Sequence, residues 1–163
     1  YIAFLILSAV LMSTIGVLIG LLITGKPFGV VMTGVGVIAL AGIVVNNNIV
    51  LIDTFDHIRK GTQTVKDAVL QAGMERLRPV LLTTVTTILG LLPMVLQINV
   101  DFLTREISIG APSTQWWVSL STAIVFGLSF ATILTLIVTP CALQFRADIQ
   151  EAIRGFKEKK QRL

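Results

Sequence analysis

Phe28-Gly-Val-Val-Met-Thr-Gly-Val-Gly-Val-Ile-Ala-Leu-Ala-Gly-Ile-Val-Val-Asn-Asn-Asn-Ile-Val-Leu-Ile52 is the stretch on which the fold turns. It carries no charged side chain. As an α-helix rising about 1.5 Å per residue it would cross a hydrocarbon layer about 30 Å thick. Within it stand three consecutive amides, Asn46, Asn47 and Asn48. An amide in oil is costly unless it finds a hydrogen-bond partner. At about 100° per residue the three cover about 200° of helix circumference, so they cannot share one neighbour. At least one is expected to face a bundle interior or a water-filled cavity. Asn46 shares a helical face with Ala39, Gly42 and Asp53, a stripe of small and polar residues. The amides could serve as glue between helices, as part of an ion or proton path, or as the break of a re-entrant segment.

Three further segments are nearly free of charge: Tyr1 to Thr24, Pro79 to Val100, and Trp116 to Phe145. The expectation is therefore an all-α integral membrane protein with four spans over about residues 1–24, 28–52, 79–100 and 116–145. These runs do not alternate as membrane barrel strands do. Composition agrees. Of 163 residues 54% are hydrophobic and 13% charged, where a soluble domain carries about 25% charged residues. A soluble globule, a disordered chain, a collagen and a disulfide-stapled fold are all excluded. Cys141 is the lone cysteine and reads as a small buried apolar residue. No cleavable signal peptide is visible, and the chain starts at Tyr1 without an initiator Met, so it reads as a fragment.

The net charge of +4 reflects loops rather than nucleic-acid binding, for which no base-reading motif is present. The link 53–78 holds Arg59, Lys60, Lys66, Arg76 and Arg78. The basic tail 146–163 holds Arg146, Arg154, Lys157, Lys159, Lys160 and Arg162. Link and tail together carry 11 of the 13 cations (5 + 6), which places both on the cytoplasmic side. Gly25-Lys26-Pro27 is then an outward turn. Thr64 and Asp67 read as a capping box. Val65, Ala68, Val69 and Ala72 follow at helical spacing and Gly73 reads as a stop. A short amphipathic helix lying on the cytoplasmic membrane surface is expected there, and the tail offers a weaker second one.

Pro79 would open the third span and Pro93 would kink it; Pro140 would bend the fourth. Thr83, Thr84, Thr86 and Thr87 lie early in the third span, with Thr83 and Thr87 one turn apart. Each could bond its own helix or face inward as a relay. Gly16 and Gly20 form a small-residue pair suited to close packing. Trp116 and Trp117 would sit in an interfacial belt. His57 reads as solvated. No cofactor motif, metal-ligand set or enzyme signature is visible.

Gly42-Ile-Val-Val-Asn-Asn-Asn-Ile-Val-Leu-Ile-Asp53 and Arg76-Leu-Arg-Pro-Val-Leu-Leu-Thr-Thr-Val-Thr-Thr-Ile-Leu-Gly-Leu-Leu-Pro93 resemble two spans of the resistance-nodulation-division (RND) efflux pumps. Thr24-Gly-Lys-Pro-Phe-Gly29 and Leu134-Thr-Leu-Ile-Val-Thr-Pro140 match the flanking spans in order. The resemblance covers nearly the whole chain and is nearest to the hydrophobe/amphiphile exporters. It implies the ninth to twelfth spans of a larger bundle in the bacterial inner membrane, with a cytoplasmic C-terminus. It implies a proton-driven antiporter, usually a homotrimer, working with a periplasmic adaptor and an outer-membrane channel. Its proton-accepting carboxylates would lie in the remainder of the polypeptide. Carried over by resemblance, Asn46, Asn47, Thr83 and Arg76 form the responding side of the proton relay, with Asn48, Asp53 and Thr87 in support. Asn46 stands where many members have a lysine; an amide can hydrogen-bond a carboxylate but supplies no countercharge. Alternatives are a lipid, metal or protein-export RND relative, and a truncated, non-transporting membrane scaffold.

Overall fold

Charge-free apolar runs satisfy every backbone amide internally only as helices, and four long helices form. The computed structural model describes residues 2–61 and 64–161, with side chains through residue 156. In order, the elements are α1 (Ile2–Thr24), α2 (Val30–Arg59), α3 (Val65–Val95), β1 (Ile98–Asp101), β2 (Glu106–Ile109) and α4 (Pro112–Gln161). All four helices are long and apolar enough to cross a membrane. The four-span membrane bundle expected from sequence is what forms. Tyr1 and Arg162 lie outside the described residues.

α1 ends in a Schellman motif. Gly25 adopts φ +65°, a conformation open to glycine without strain. Its N–H bonds Leu22 O at 3.3 Å, and the Lys26 N–H bonds Leu21 O at 3.2 Å. Lys26 then reaches Thr122 of α4, Nζ to Oγ1 at 3.4 Å, which ties this turn to the early part of α4. Partial burial pushes the Lys26 ammonium below its ordinary pKa. At the opposite end Leu5, Phe55, Ala68, Val69, Ala72 and Leu143 form a second apolar cluster. The first cluster, in mid-bundle, is built from Val17, Leu21, Leu40, Val44, Ala123, Leu128 and Ala131. α4 packs against each of the other three helices and is the axis of the assembly.

The glycines explain how closely α4 is approached. A Cβ on Gly16 would fall 2.6 Å from Phe130 Cβ, and one on Gly20 would fall 2.3 Å from Phe126 Cβ. The α1 pair therefore receives two phenyl rings one turn apart on α4. Gly127 of α4 lies under Leu40 and Val17 in the same way.

Four expectations are corrected. The helix at 65–73 forms, but it is no separate surface helix. It is the first part of α3, which runs through Gly73 and Pro79. Ala68, Val69 and Ala72 are buried against Phe55 and Leu143 rather than laid on a bilayer. Ala68, Val69 and Ala72 cluster with Leu143 of α4, and Thr84 further along is bonded to Thr132 of α4, so an unbroken helix buries link and span against the same neighbour. Gly73 in a helix costs only about 1 kcal/mol, too little to stop it. Second, α2 continues past Ile52 to Arg59, and α4 carries the tail as one helix to Gln161, through Pro140. Residues 53–59 and 65–78 of the link and 146–161 of the tail are therefore extensions of spans.

Third, the third span ends at Val95, two residues after Pro93, and an antiparallel hairpin follows. Ile98 pairs with Ile109 and Val100 with Ile107. The period-two alternation of Ile98-Asn-Val-Asp and Glu-Ile-Ser-Ile109 was the available signal. The first strand overlaps the end of the expected span at 98–100, and the second lies in the connection that follows it. Fourth, Cys141 is exposed, because the buried face of this part of α4 is formed by Thr139 and Leu143. The capping box at Thr64 is also modified. The Thr64 hydroxyl donates to the Asp67 carboxylate, with no side-chain bond to the helix backbone.

Candidate functional site

The helical turn separates the three amides as geometry requires. Asn48 points into the bundle and is 2% exposed. Thr139 Oγ1 of α4 donates to Asn48 Oδ1 at 2.9 Å, while Asn48 Nδ2 has no partner. Asn46 and Asn47 instead line an open groove between α2 and α3. Ala39, Gly42, Ile43, Asn46 and Asn47 form one wall, Thr83, Thr84 and Thr87 the other, with Leu128 of α4 also lining it. The groove encloses about 400 Å³. The Ala39–Gly42–Asn46 part of the stripe read from sequence is thus a groove wall. A Cβ on Gly42 would meet nothing within 4 Å, so the wall is shallow enough for another helix to come close.

A smaller cavity of about 90 Å³ adjoins it and shares Asn47 and Thr83. Arg76 lines this second space together with Val50, Leu51, Pro79 and Val80. Arg76 is half-buried and its Nε donates to Thr54 Oγ1 at 2.6 Å. Thr54 in turn donates to Val50 O at 2.8 Å. This relay of donors ties the guanidinium at the edge of the groove and restricts its motion.

The α3 hydroxyls divide into two kinds. Thr83, Thr86 and Thr87 each donate to their own helix, to Val80 O at 3.0 Å, Leu82 O at 2.7 Å and Thr83 O at 2.8 Å. A hydroxyl that donates still has lone pairs to accept with. Thr83 and Thr87 therefore present acceptor oxygens to the groove. Thr84 is 6% exposed and shares a 3.0 Å hydrogen bond with Thr132 of α4.

Of the residues singled out from sequence, the structure brings Asn46, Asn47, Thr83 and Thr87 to one groove and Arg76 to its margin. Asn48 is turned away into the bundle, and Asp53 is exposed and lines neither cavity. Sequence reasoning missed Thr54, Thr122, Thr132 and Thr139. The signal was present: Thr132, Thr135 and Thr139, spaced three and four apart on α4, are all buried and form a hydroxyl stripe.

Bilayer-length helices grouped around α4, with an amide- and hydroxyl-lined groove left open to one side, define one portion of a larger multi-pass membrane bundle. The profile of the AcrB/AcrD/AcrF family matches residues 1–145. The chain belongs to this family of RND efflux transporters. It is 33% identical over 155 residues to the swarming motility protein SwrC of Bacillus subtilis, covering 95% of this chain and 14% of that protein. It is 31% identical over 141 residues to the multidrug resistance protein MdtC of Escherichia coli, covering 86% of this chain and 12% of that one. A crystal structure of a heavy metal efflux pump superposes with TM-score 0.72 at 35% identity, over 86% of this chain and 13% of the pump. The chain thus spans about one eighth of the length of these proteins.

Proposed function

We propose that this chain is the C-terminal membrane part, spans nine to twelve, of a proton-motive-force-driven RND exporter of amphiphilic compounds. It would act as a transporter rather than an enzyme. The observation that carries this reading is the convergence of Asn46, Asn47 and Thr83 on one open groove between α2 and α3. A carboxylate presented from the rest of the polypeptide would meet amide N–H donors and a hydroxyl acceptor there. When ionised it accepts from Asn46 and Asn47. When protonated it donates to an amide or threonine oxygen instead. The switch is a change of hydrogen-bond direction, because Asn46 brings no cation. Arg76, fixed by Thr54, supplies positive charge at the margin.

The multidrug resistance relatives support a drug-exporting branch. The superposition on a heavy metal efflux pump supports a second reading, a metal-exporting relative with the same membrane machinery. Inner-membrane placement with a cytoplasmic C-terminus is supported by the 11 cations in link and tail, out of 13. Resemblance to the family supports a homotrimer working with a periplasmic adaptor and an outer-membrane channel.

Reconstitution of the full-length protein with an imposed pH gradient tests the reading. Asn46→Leu should reduce export to background while membrane insertion and yield stay unchanged. Wild-type export in that variant would reduce the amides to packing glue between helices. Export indifferent to collapse of the proton gradient would overturn proton coupling. Transport of a metal ion in preference to an amphiphilic dye would move the protein to the second branch.

A further inference from the structure

The β1–β2 hairpin has no role in the groove, yet its register sorts its side chains by polarity. Residues directly opposite in an antiparallel pair share a face, and successive residues alternate faces. Ile98 with Ile109 and Val100 with Ile107 therefore form one face. Asn99 with Ser108 and Asp101 with Glu106 form the other. The four apolar side chains are 38%, 78%, 47% and 72% exposed in that order. At the tip Phe102 and Leu103 are 89% and 96% exposed. The turn holding them out is well made. Asp101 Oδ1 accepts from the Leu103 N–H at 2.9 Å, and Arg105 takes the left-handed conformation, φ 54°.

What covers this face follows from where the hairpin is rooted. β1 starts three residues after the last residue of α3, and β2 ends three residues before the first residue of α4. The hairpin thus stands at the boundary where two bilayer-length helices end. Trp116 and Trp117 on the adjoining first turns of α4 are 70% and 49% exposed, the placement of an interfacial aromatic belt. Exposed Leu92 and Leu96 extend the apolar surface of α3 to the foot of β1. The hairpin's apolar residues thus adjoin the exposed apolar ends of two helices long enough to cross a bilayer.

We infer that the hairpin is a membrane-interface anchor. Its Ile98/Val100/Ile107/Ile109 face and Phe102–Leu103 tip lie in the outer headgroup and upper acyl region, and its Asp101/Glu106 face meets water. This depends on bilayer embedding, not on proton coupling, so the two readings fail independently.

Site-directed spin labelling of the full-length protein in phospholipid vesicles tests it, in a background without other reactive cysteines. Labels at Phe102→Cys, Leu103→Cys and Ile107→Cys should collide more with oxygen than with a water-soluble nickel chelate. Labels at Asn99→Cys and Ser108→Cys should show the reverse. Tip labels dominated by the nickel chelate would overturn the proposal. So would tip labels shielded from both reagents, which would indicate burial against protein. A second measurement needs no substitution: a photoactivatable phospholipid should leave adducts at Phe102 and Leu103 of the native chain. Adducts confined to the helices would overturn it.

Discussion

Asn46, Asn47 and Asn48 are chemically identical neighbours with different surroundings, set by the helical turn alone. Asn48 is sealed against α4 with its carbonyl bonded to Thr139 and its Nδ2 unpartnered. Thr139→Val would leave the whole amide buried without a partner. A loss of about 1–3 kcal/mol is expected, seen as a lower unfolding temperature of the purified protein. Asn48→Leu combined with Thr139→Val should cost less than the sum of the single changes, because replacing both partners by apolar groups removes the unmet bond. The same thermal measurement should separate two adjacent threonines. Thr84→Val breaks the buried bond to Thr132 and should cost about 1 kcal/mol, since a net hydrogen bond is worth about that much. Thr83→Val removes only a local bond to Val80 O on an exposed position and should leave stability within about 0.5 kcal/mol. Its effect, if the relay operates, belongs to export.

Within the helices, glycine has two opposite meanings. Gly20 is crowded by Phe126, so Gly20→Val should pry α1 from α4 and cost about 1–3 kcal/mol or more by overpacking. Gly73 lies in the interior of α3 with nothing within 4 Å of an added Cβ. Gly73→Ala should therefore stabilise by about 0.5–1 kcal/mol. Calorimetric unfolding of both variants should show shifts of opposite sign. A stabilising Gly73→Ala is also what a continuous α3 requires, since a glycine holding a helix stop in the left-handed region would resist alanine. In the hairpin, the backbone N–H groups of Leu103 and Thr104 hold the Asp101 carboxyl below its ordinary pKa. A depressed carboxylate stabilises the folded turn above its unfolded pKa, and that support is lost as pH falls through the folded value. A spin label at Leu103→Cys should therefore gain mobility on acidification below the ordinary carboxylate range, and Asp101→Asn should remove the pH dependence.

Taken together, the four helices bury one side of α2 and α3 against α4 and leave the other side as a groove. Ala39 and Gly42 keep that wall low, and Asn46, Asn47, Thr83 and Thr87 make it polar. A surface that is both small and polar is poor at facing lipid and well suited to a close-packed helix. Gly42→Leu puts a branched side chain where nothing in these four helices stands. The four-helix portion should assemble with an unchanged yield in membranes, while export by the full-length protein should fall severely. Normal export would mean that no partner helix comes close at this wall.

Much of this protein was written in its linear pattern. Charge-free runs of bilayer length that do not alternate as barrel strands do specify four spanning helices, because a helix satisfies its backbone groups in oil within the segment itself. The spacing of Ala39, Gly42 and Asn46 already marks a polar stripe, because 3.6 residues per turn is a local property. Three-dimensional packing decided the rest. Gly73 and Pro79 carry local stop and start signals, yet α3 passes through both, because one unbroken helix buries Ala68 and Ala72 as well as Thr84 against α4. Hydroxyls far apart along the chain, Thr139 for Asn48, Thr132 for Thr84 and Thr54 for Arg76, become partners only once α4 takes the centre and α3 docks on α2. Local energies of about 1 kcal/mol set preferences. Burial shared among several helices overrides them.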